Sequence, residues 1–270
     1  MLRTRIITAL IIAPAALAGV FLLPPFEFSL FIGAVLAVAA WEWGNLGGLS
    51  GAYRVLYAAL VASAIGFASL LPADDVMFAG IAWWLAALVF VMKFPGLVGI
   101  WGTKMAVLSI GFLVLVPGWV ALRELKLFTD SSYLICLLFF LIWGADVGAY
   151  FAGRGFGRSK LAPDVSPGKT WEGFFGGLVA VLVIAISMAL WFGKPDLTSP
   201  DGMILVGLCL LVGMISVLGD LTISMFKRKR DIKDSSNLLP GHGGFLDRID
   251  SLLSAAPVYT LYLLSANWLE

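Results

Sequence analysis

The sequence predicts an all-α, polytopic integral membrane protein with about nine transmembrane helices, its N-terminus cytoplasmic and its C-terminus outside. Of 270 residues, 60% are hydrophobic and 13% charged, where a soluble domain is about half apolar and a quarter charged. The mean hydropathy is +0.97, and apolar runs near the roughly 20 residues needed to cross a bilayer recur along the chain. A water-soluble globular domain is thereby excluded. The formal net charge of +1, from 18 basic and 17 acidic side chains, gives no global field that would select nucleic acid.

The apolar runs fall at 6–23, 28–41, 55–71, 76–92, 105–122, 133–151, 174–192, 203–223 and 249–268, each bounded by charge, Pro or Gly. Arg3 and Arg5 precede the first run as in a signal peptide, but no small-residue cleavage site follows cleanly, so the run is read as a span. With the N-terminus inside, every one of the 18 basic residues except Arg123, Lys126 and Lys194 falls on the cytoplasmic side, as the retention of basic loops requires. The whole chain, 1–270, reads as one transmembrane domain, with N-terminal spans over 1–130 and C-terminal spans over 131–270. Cys136 and Cys209 lie within apolar runs and act as small hydrophobes. Trp41, Trp43, Trp83, Trp84, Trp101, Trp191 and Trp268 stand near span ends and read as interfacial belts and packing. Gly144 and Gly148, like Gly176 and Gly177, read as close helix packing.

Two cytoplasmic connections, 152–172 and 225–248, are too long and too polar to be plain connectors. The first combines Gly153, Gly155, Gly157 and Gly168 with Arg154, Arg158, Lys160 and Lys169. It is no Walker A loop, since Pro163 stands where the leading glycine belongs, and no dinucleotide fingerprint, since Arg158 replaces the third glycine. Two readings stay open: backbone and basic groups gathered round a phosphate with Thr170 opening a helix, or a basic topological anchor with flexible glycines. The second loop carries Lys227, Arg228, Lys229 and Arg230, then Lys233, His242, Asp247, Arg248 and Asp250. Four adjoining bases by themselves read as a membrane-surface anchor.

Carboxylates change that balance. Asp146 and Asp220 lie inside spans, where a charge needs a partner or a watery cavity. Asp247 and Asp250 share a face at the start of a helix, and Asp220 shares one with Ser224. Hard oxygen donors with one histidine and no cysteine cluster point to Mg²⁺ rather than zinc. Carboxylates beside basic, glycine-rich loops suit phosphoryl or nucleotidyl transfer. His242 between glycines is a turn residue first, and a phosphate partner or general base after that.

These residues together resemble the phosphatidate cytidylyltransferase (CDP-diacylglycerol synthase) family, in its short bacterial form. The resemblance runs over essentially the whole chain. Its strongest block is Ser224, Lys227, Arg228, Lys233, Asp234, Ser236, Leu239, Pro240, His242-Gly243-Gly244, Asp247, Arg248 and Asp250. A second block holds Asp146, Tyr150, Gly153, Arg154, Phe156, Gly157, Leu161, Pro163, Ser166, Pro167, Lys169, Thr170, Glu172 and Gly173. The resemblance implies a Mg²⁺-dependent reaction of CTP with phosphatidic acid at the cytoplasmic face of a bacterial inner membrane. On that basis Asp220 and Asp247 are expected to hold the metal, with Asp146 supporting it or a second cation. Lys169, Arg248 and His242 complete the expected catalytic set; Arg154, Lys160, Ser166, Thr170, Lys227, Arg228 and Lys233 join Lys169 as expected phosphate ligands. A homodimer is the default assembly. Membrane lipids are the expected surroundings. The rivals are an ion-coupled transporter, against which no repeated half is found, a CTP-dependent polyprenol kinase, and a lipid-binding scaffold.

Overall fold

The computed structural model describes residues 14, 16–192 and 198–266. Half of the expected first span, 6–13 and 15, therefore lies outside the described residues, as do Arg3, Arg5, Lys194 and Trp268; residues 16–22 are helical. The described chain continues through α1 (Pro25–Leu46), α2 (Ala52–Ala68), α3 (Ala73–Met92), the single turn α4 (Val98–Trp101), α5 (Lys104–Leu127) and α6 (Ser131–Phe156). A hairpin of β1 (Lys160–Ala162) and β2 (Ser166–Thr170) follows, then α7 (Trp171–Phe192), α8 (Pro200–Lys229) and α9 (Leu246–Ser265). The architecture is helical, as expected, with this one two-stranded antiparallel ribbon as an addition.

Among the described residues six helices, α1, α3, α5, α6, α7 and α8, are long and apolar enough to cross a membrane. The expected runs at 55–71 and 249–268 are helical as far as Ala68 and Ser265, but α2 has only 17 residues and the first turn of α9 carries Asp247, Arg248 and Asp250. Local signals place the helix starts. Pro25 occupies the first turn of α1 with Glu27 beside it, where neither a missing N–H nor a negative charge is costly. Thr103 accepts from the Ala106 N–H at 3.2 Å to open α5, and Ser199 from the Gly202 N–H at 3.1 Å to open α8.

Three boundaries differ from the sequence expectation, each for a packing reason. The short run 28–41 is the middle of a 22-residue helix, because Trp43 and Leu46 beyond it are fully buried. The first loop starts late, since α6 continues to Phe156 and presents Arg154 from its last turn. The second starts late as well: α8 continues to Lys229, because Met225 and Phe226 are fully buried. Phe226 meets Trp101 at 5.0 Å, Trp43 at 5.3 Å and Trp83 at 6.4 Å between ring centroids. Trp43, Trp84 and Trp101 thus serve the core, while Trp191, 85% exposed, fits a belt position. Cys136 and Cys209 are free thiols. Exposed side chains such as Leu60, Phe67, Leu85 and Val179 form the apolar exterior that a bilayer would cover.

Small residues set the tightest contacts. A Cβ on Gly148 of α6 would stand 2.6 Å from the Ala180 Cβ and 2.7 Å from the Gly176 oxygen of α7. One on Gly177 would stand 2.7 Å from the Ala145 oxygen. The glycine pairs therefore pack helices, as the sequence suggested. α9 leans on α8 in the same manner: a Cβ on Gly219 would lie 2.5 Å from the Asp250 carbonyl oxygen. Ser251 and Ser254 donate to the Ser216 and Ile215 carbonyls of α8, each at 2.9 Å. Such contacts bring Asp220 and Asp250 side by side. Gly219→Val is expected to force the two helices apart at a cost of about 1–3 kcal/mol, lowering the thermal unfolding midpoint of the detergent-solubilised protein by several degrees; an unchanged midpoint would contradict this packing.

Candidate active site

Polar side chains of four elements, α6, β2, α8 and α9, meet at one end of the bundle. The last turns of α6 project Asp146, Tyr150 and Arg154, four apart and so on one face, with Arg154 donating to the Tyr150 hydroxyl at 2.9 Å. β2 carries Lys169. The end of α8 carries Asp220, Ser224 and Lys227, and the start of α9 carries Asp247, Arg248, Asp250 and Ser251.

The hairpin is fixed from both sides. At its base the Glu172 carboxylate accepts from the Ser159 N–H at 3.1 and 3.2 Å, and Thr170 accepts from the Gly173 N–H at 3.1 Å to start α7. At its turn, Arg228 donates to the Val165 carbonyl at 3.1 Å. A Cβ on Gly153 would stand 3.2 Å from the Thr170 hydroxyl, and one on Gly173 2.9 Å from the Ala149 oxygen. These two glycines serve close approach of α6, α7 and the hairpin. Gly168 has open space around it and lines a cavity.

Thus held, Lys169 reaches across to α8, its ammonium 2.7 Å from the Asp220 carboxylate. Ser224, one turn on, donates to the other Asp220 oxygen at 3.2 Å. Lys227 pairs with Asp247 at 2.8 Å, both largely buried. The second Asp247 oxygen accepts from the Ser235 N–H at 2.9 Å, the Ser235 hydroxyl at 3.0 Å and the Gly244 N–H at 3.0 Å. His242 sits in the turn that closes this loop, its N–H donating to the Leu239 carbonyl at 2.8 Å. Its own carbonyl accepts from Arg248 at 2.7 and 3.2 Å, so the backbone of His242 aims the guanidinium.

Two adjoining cavities result. One, of about 370 Å³, has Ala149, Tyr150, Leu161, Phe174 and Val217 in its wall and Arg154, Lys169 and Thr170 among its polar groups. The other, of about 280 Å³, is walled by Asp146, Asp220, Lys227, Asp234, Asp247, Arg248, Asp250 and Ser251. Asp146 belongs to both, and Lys169 in the first wall is paired with Asp220 in the second. An apolar-walled cavity with a basic rim thus adjoins a carboxylate-lined one at Asp146.

Of the residues expected from sequence, Asp146, Arg154, Lys169, Thr170, Asp220, Lys227, Asp247 and Arg248 line these cavities. Lys160, Ser166, Arg228, Lys233 and His242 line neither. Asp234, Asp250 and Ser251 join the wall. Sequence reading missed Glu42, a fully buried carboxylate of α1 behind the second cavity; the only signal was a lone acid between two tryptophans at the end of an apolar run. Among the described residues no three His, Cys, Asp or Glu side chains are gathered closely enough to hold a metal unaided. The donor set, hard carboxylates without sulfur, fits a cation that keeps waters and takes substrate oxygens, as Mg²⁺ does.

The model of the cytidylyltransferase family matches residues 3–266. A phosphatidate cytidylyltransferase of Pseudomonas aeruginosa is 49% identical over 99% of this chain and 99% of its own length. One of Haemophilus influenzae is 37% identical over 97% of this chain and 98% of its own, and one of Brucella suis 43% identical over 50% of this chain and 48% of its own. With the match extending over nearly its whole length, this chain belongs to the cytidylyltransferase family.

Proposed function

We propose that this protein transfers the cytidylyl group of CTP to phosphatidic acid, giving CDP-diacylglycerol and pyrophosphate. The observation that carries the reading is the junction of an apolar-walled cavity with a basic rim and a carboxylate-lined one, at Asp146. The printed names and near-complete coverage of the Pseudomonas and Haemophilus relatives support it.

The lipid enters the first cavity, its glycerol and upper acyl segments against Tyr150, Leu161 and Phe174, with Arg154, Lys169 and Thr170 at its phosphate. CTP occupies the second, where Lys227 and Arg248 offset the charge of its phosphates. Asp220 and Asp247 would hold Mg²⁺, with Asp146 supporting it or a second cation, and a bound metal would supply charge neutralisation to the triphosphate. A lipid phosphate oxygen, already anionic at neutral pH, attacks the α-phosphorus; a new P–O bond forms, the bond to the β-phosphate oxygen breaks, and pyrophosphate leaves with the electron pair. No strong base is required, which accords with His242 acting through its carbonyl on Arg248. The protein's work is alignment of two anions that otherwise repel.

The same reading places nine spans in a bacterial inner membrane, N-terminus inside and C-terminus outside, with the site at the cytoplasmic surface and a homodimer as the assembly. It is supported by the alternation of the described helices, which brings the ends of α1, α6 and α8 and the starts of α7 and α9 to one side. Two of the basic residues on the opposite side are engaged there: Lys126 donates to the Val20 carbonyl at 2.5 Å, and Arg123 pairs with Glu124 at 3.2 Å.

Purified protein given labelled CTP, phosphatidic acid and Mg²⁺ is expected to move label into organic-extractable lipid with stoichiometric pyrophosphate, and to stop on chelation. CDP with a phosphorylated lipid alcohol would instead identify a kinase, and no turnover by folded protein would overturn the enzyme reading. Asp220→Asn and Asp247→Asn should each lose about two orders of magnitude or more in kcat; substantial retained activity would remove that carboxylate from the metal site. Lys169→Met should lower kcat/KM for phosphatidic acid roughly 10- to 100-fold, the worth of a charged hydrogen bond; an unchanged value would exclude Lys169 from the lipid phosphate.

A further inference from the structure

α9 begins without a side-chain cap of its own: Phe245 stands at its N-cap position and offers no acceptor. The first N–H groups of a buried helix must nevertheless be satisfied. They are satisfied from α1, about two hundred residues away in sequence. Glu42 is fully buried, and its Oε2 accepts from the Leu246 N–H at 2.6 Å while its Oε1 accepts from the Phe245 N–H at 3.0 Å. Oε1 also accepts from the Ser236 hydroxyl at 2.5 Å. The Ser235 hydroxyl lies 3.2 Å from Oε2 of Glu42 and 3.0 Å from Oδ2 of Asp247, linking the two carboxylates. Asn45, one turn along α1, donates to the Ser235 carbonyl at 3.0 Å.

The fit leaves no room for a side chain between them. A Cβ on Gly244 would stand 2.7 Å from one Glu42 oxygen and 2.8 Å from the other, and Gly243 turns the chain at φ +84° just before it, a conformation glycine adopts without strain. Asp247 and Arg248 follow directly in the first turn that Glu42 holds.

We propose that Glu42 is a positioning residue of the transfer reaction: its carboxylate caps α9 from α1 and, through Ser235, sets where Asp247 and Arg248 stand in the carboxylate-lined cavity. A negative charge at a helix N-terminus is favourable in itself, and here it serves the helix that delivers two groups of the site. Glutamine at this position has one acceptor oxygen in place of two, and its amide hydrogens would face the N–H donors that the second oxygen now receives. The effect on catalysis rests on the transfer activity proposed above; the effect on α9 does not.

The test compares Glu42→Gln, Ser235→Ala and the double variant with the unsubstituted protein, by steady-state kinetics and by amide hydrogen exchange. Glu42→Gln is expected to reduce kcat about 10- to 100-fold, Ser235→Ala less, and the double variant by less than the product of the two, because both act through one carboxylate. Exchange should quicken at 243–248 in Glu42→Gln while the centres of α5 and α8 stay protected. Unchanged protection at 243–248 would overturn the proposal whatever the activity, as would kcat within twofold of the unsubstituted protein or strictly multiplicative losses. Should Glu42→Gln fail to fold, Ser235→Ala decides by the same readings. An unsubstituted protein without turnover would defeat the proposed activity, leaving exchange at 243–248 to decide whether Glu42 anchors α9.

Discussion

Asp220 and Asp247 stand near the ends of apolar helices, and each is held by a lysine ammonium from another element, Lys169 of β2 at 2.7 Å and Lys227 of α8 at 2.8 Å. A carboxylate in such surroundings is costly unless paired and hydrogen-bonded, so the positions of the hairpin, α8 and α9 are mutually dependent. The hairpin must bring Lys169 to α8, and α8 must stay helical to Lys227 for Asp247 to have its partner. Buried pairs of this kind seldom add much stability over apolar substitutes. Here they hold charged groups in place around the carboxylate-lined cavity.

Close packing by small residues makes those pairings reachable. Gly148 and Gly177 draw α6 against α7, and Gly219 draws α9 against α8 at the residue next to Asp220. Within an apolar bundle in lipid, the drive for helices to associate comes from packing and from hydrogen bonds such as those of Ser251 and Ser254 to α8 carbonyls. The aromatic cluster about Phe226 then fixes the end of α8 from beneath. A rigid floor of this sort is what two anionic reactants need if their alignment is to be supplied by the protein.

Much of the site was legible because its chemistry is conspicuous against an apolar background. Asp146 and Asp220 stand out as carboxylates within spans, and the spacing of Asp247 and Asp250 places them on one helical face. The basic run was less legible. Lys227 serves Asp247, Arg228 the hairpin turn, and Arg230 the Asn45 carbonyl, so adjacent charges with one appearance in sequence have three separate structural tasks. Glu42 showed only as a lone acid between two tryptophans, and its role was not legible, since its partners at 235, 236, 245 and 246 are brought near only by the fold.

Composition and apolar periodicity by themselves determined that the chain is a helical membrane protein, and the two polar segments with their carboxylates determined which part of it carries the chemistry. These are local properties, set by how long a run must be to satisfy its backbone in hydrocarbon and by the cost of leaving a charge there. The tertiary structure alone decided where the helices end, which lysine meets which aspartate, and that a carboxylate of α1 caps α9. Those outcomes depend on contacts between residues far apart in sequence, and such contacts leave no period or spacing in the chain.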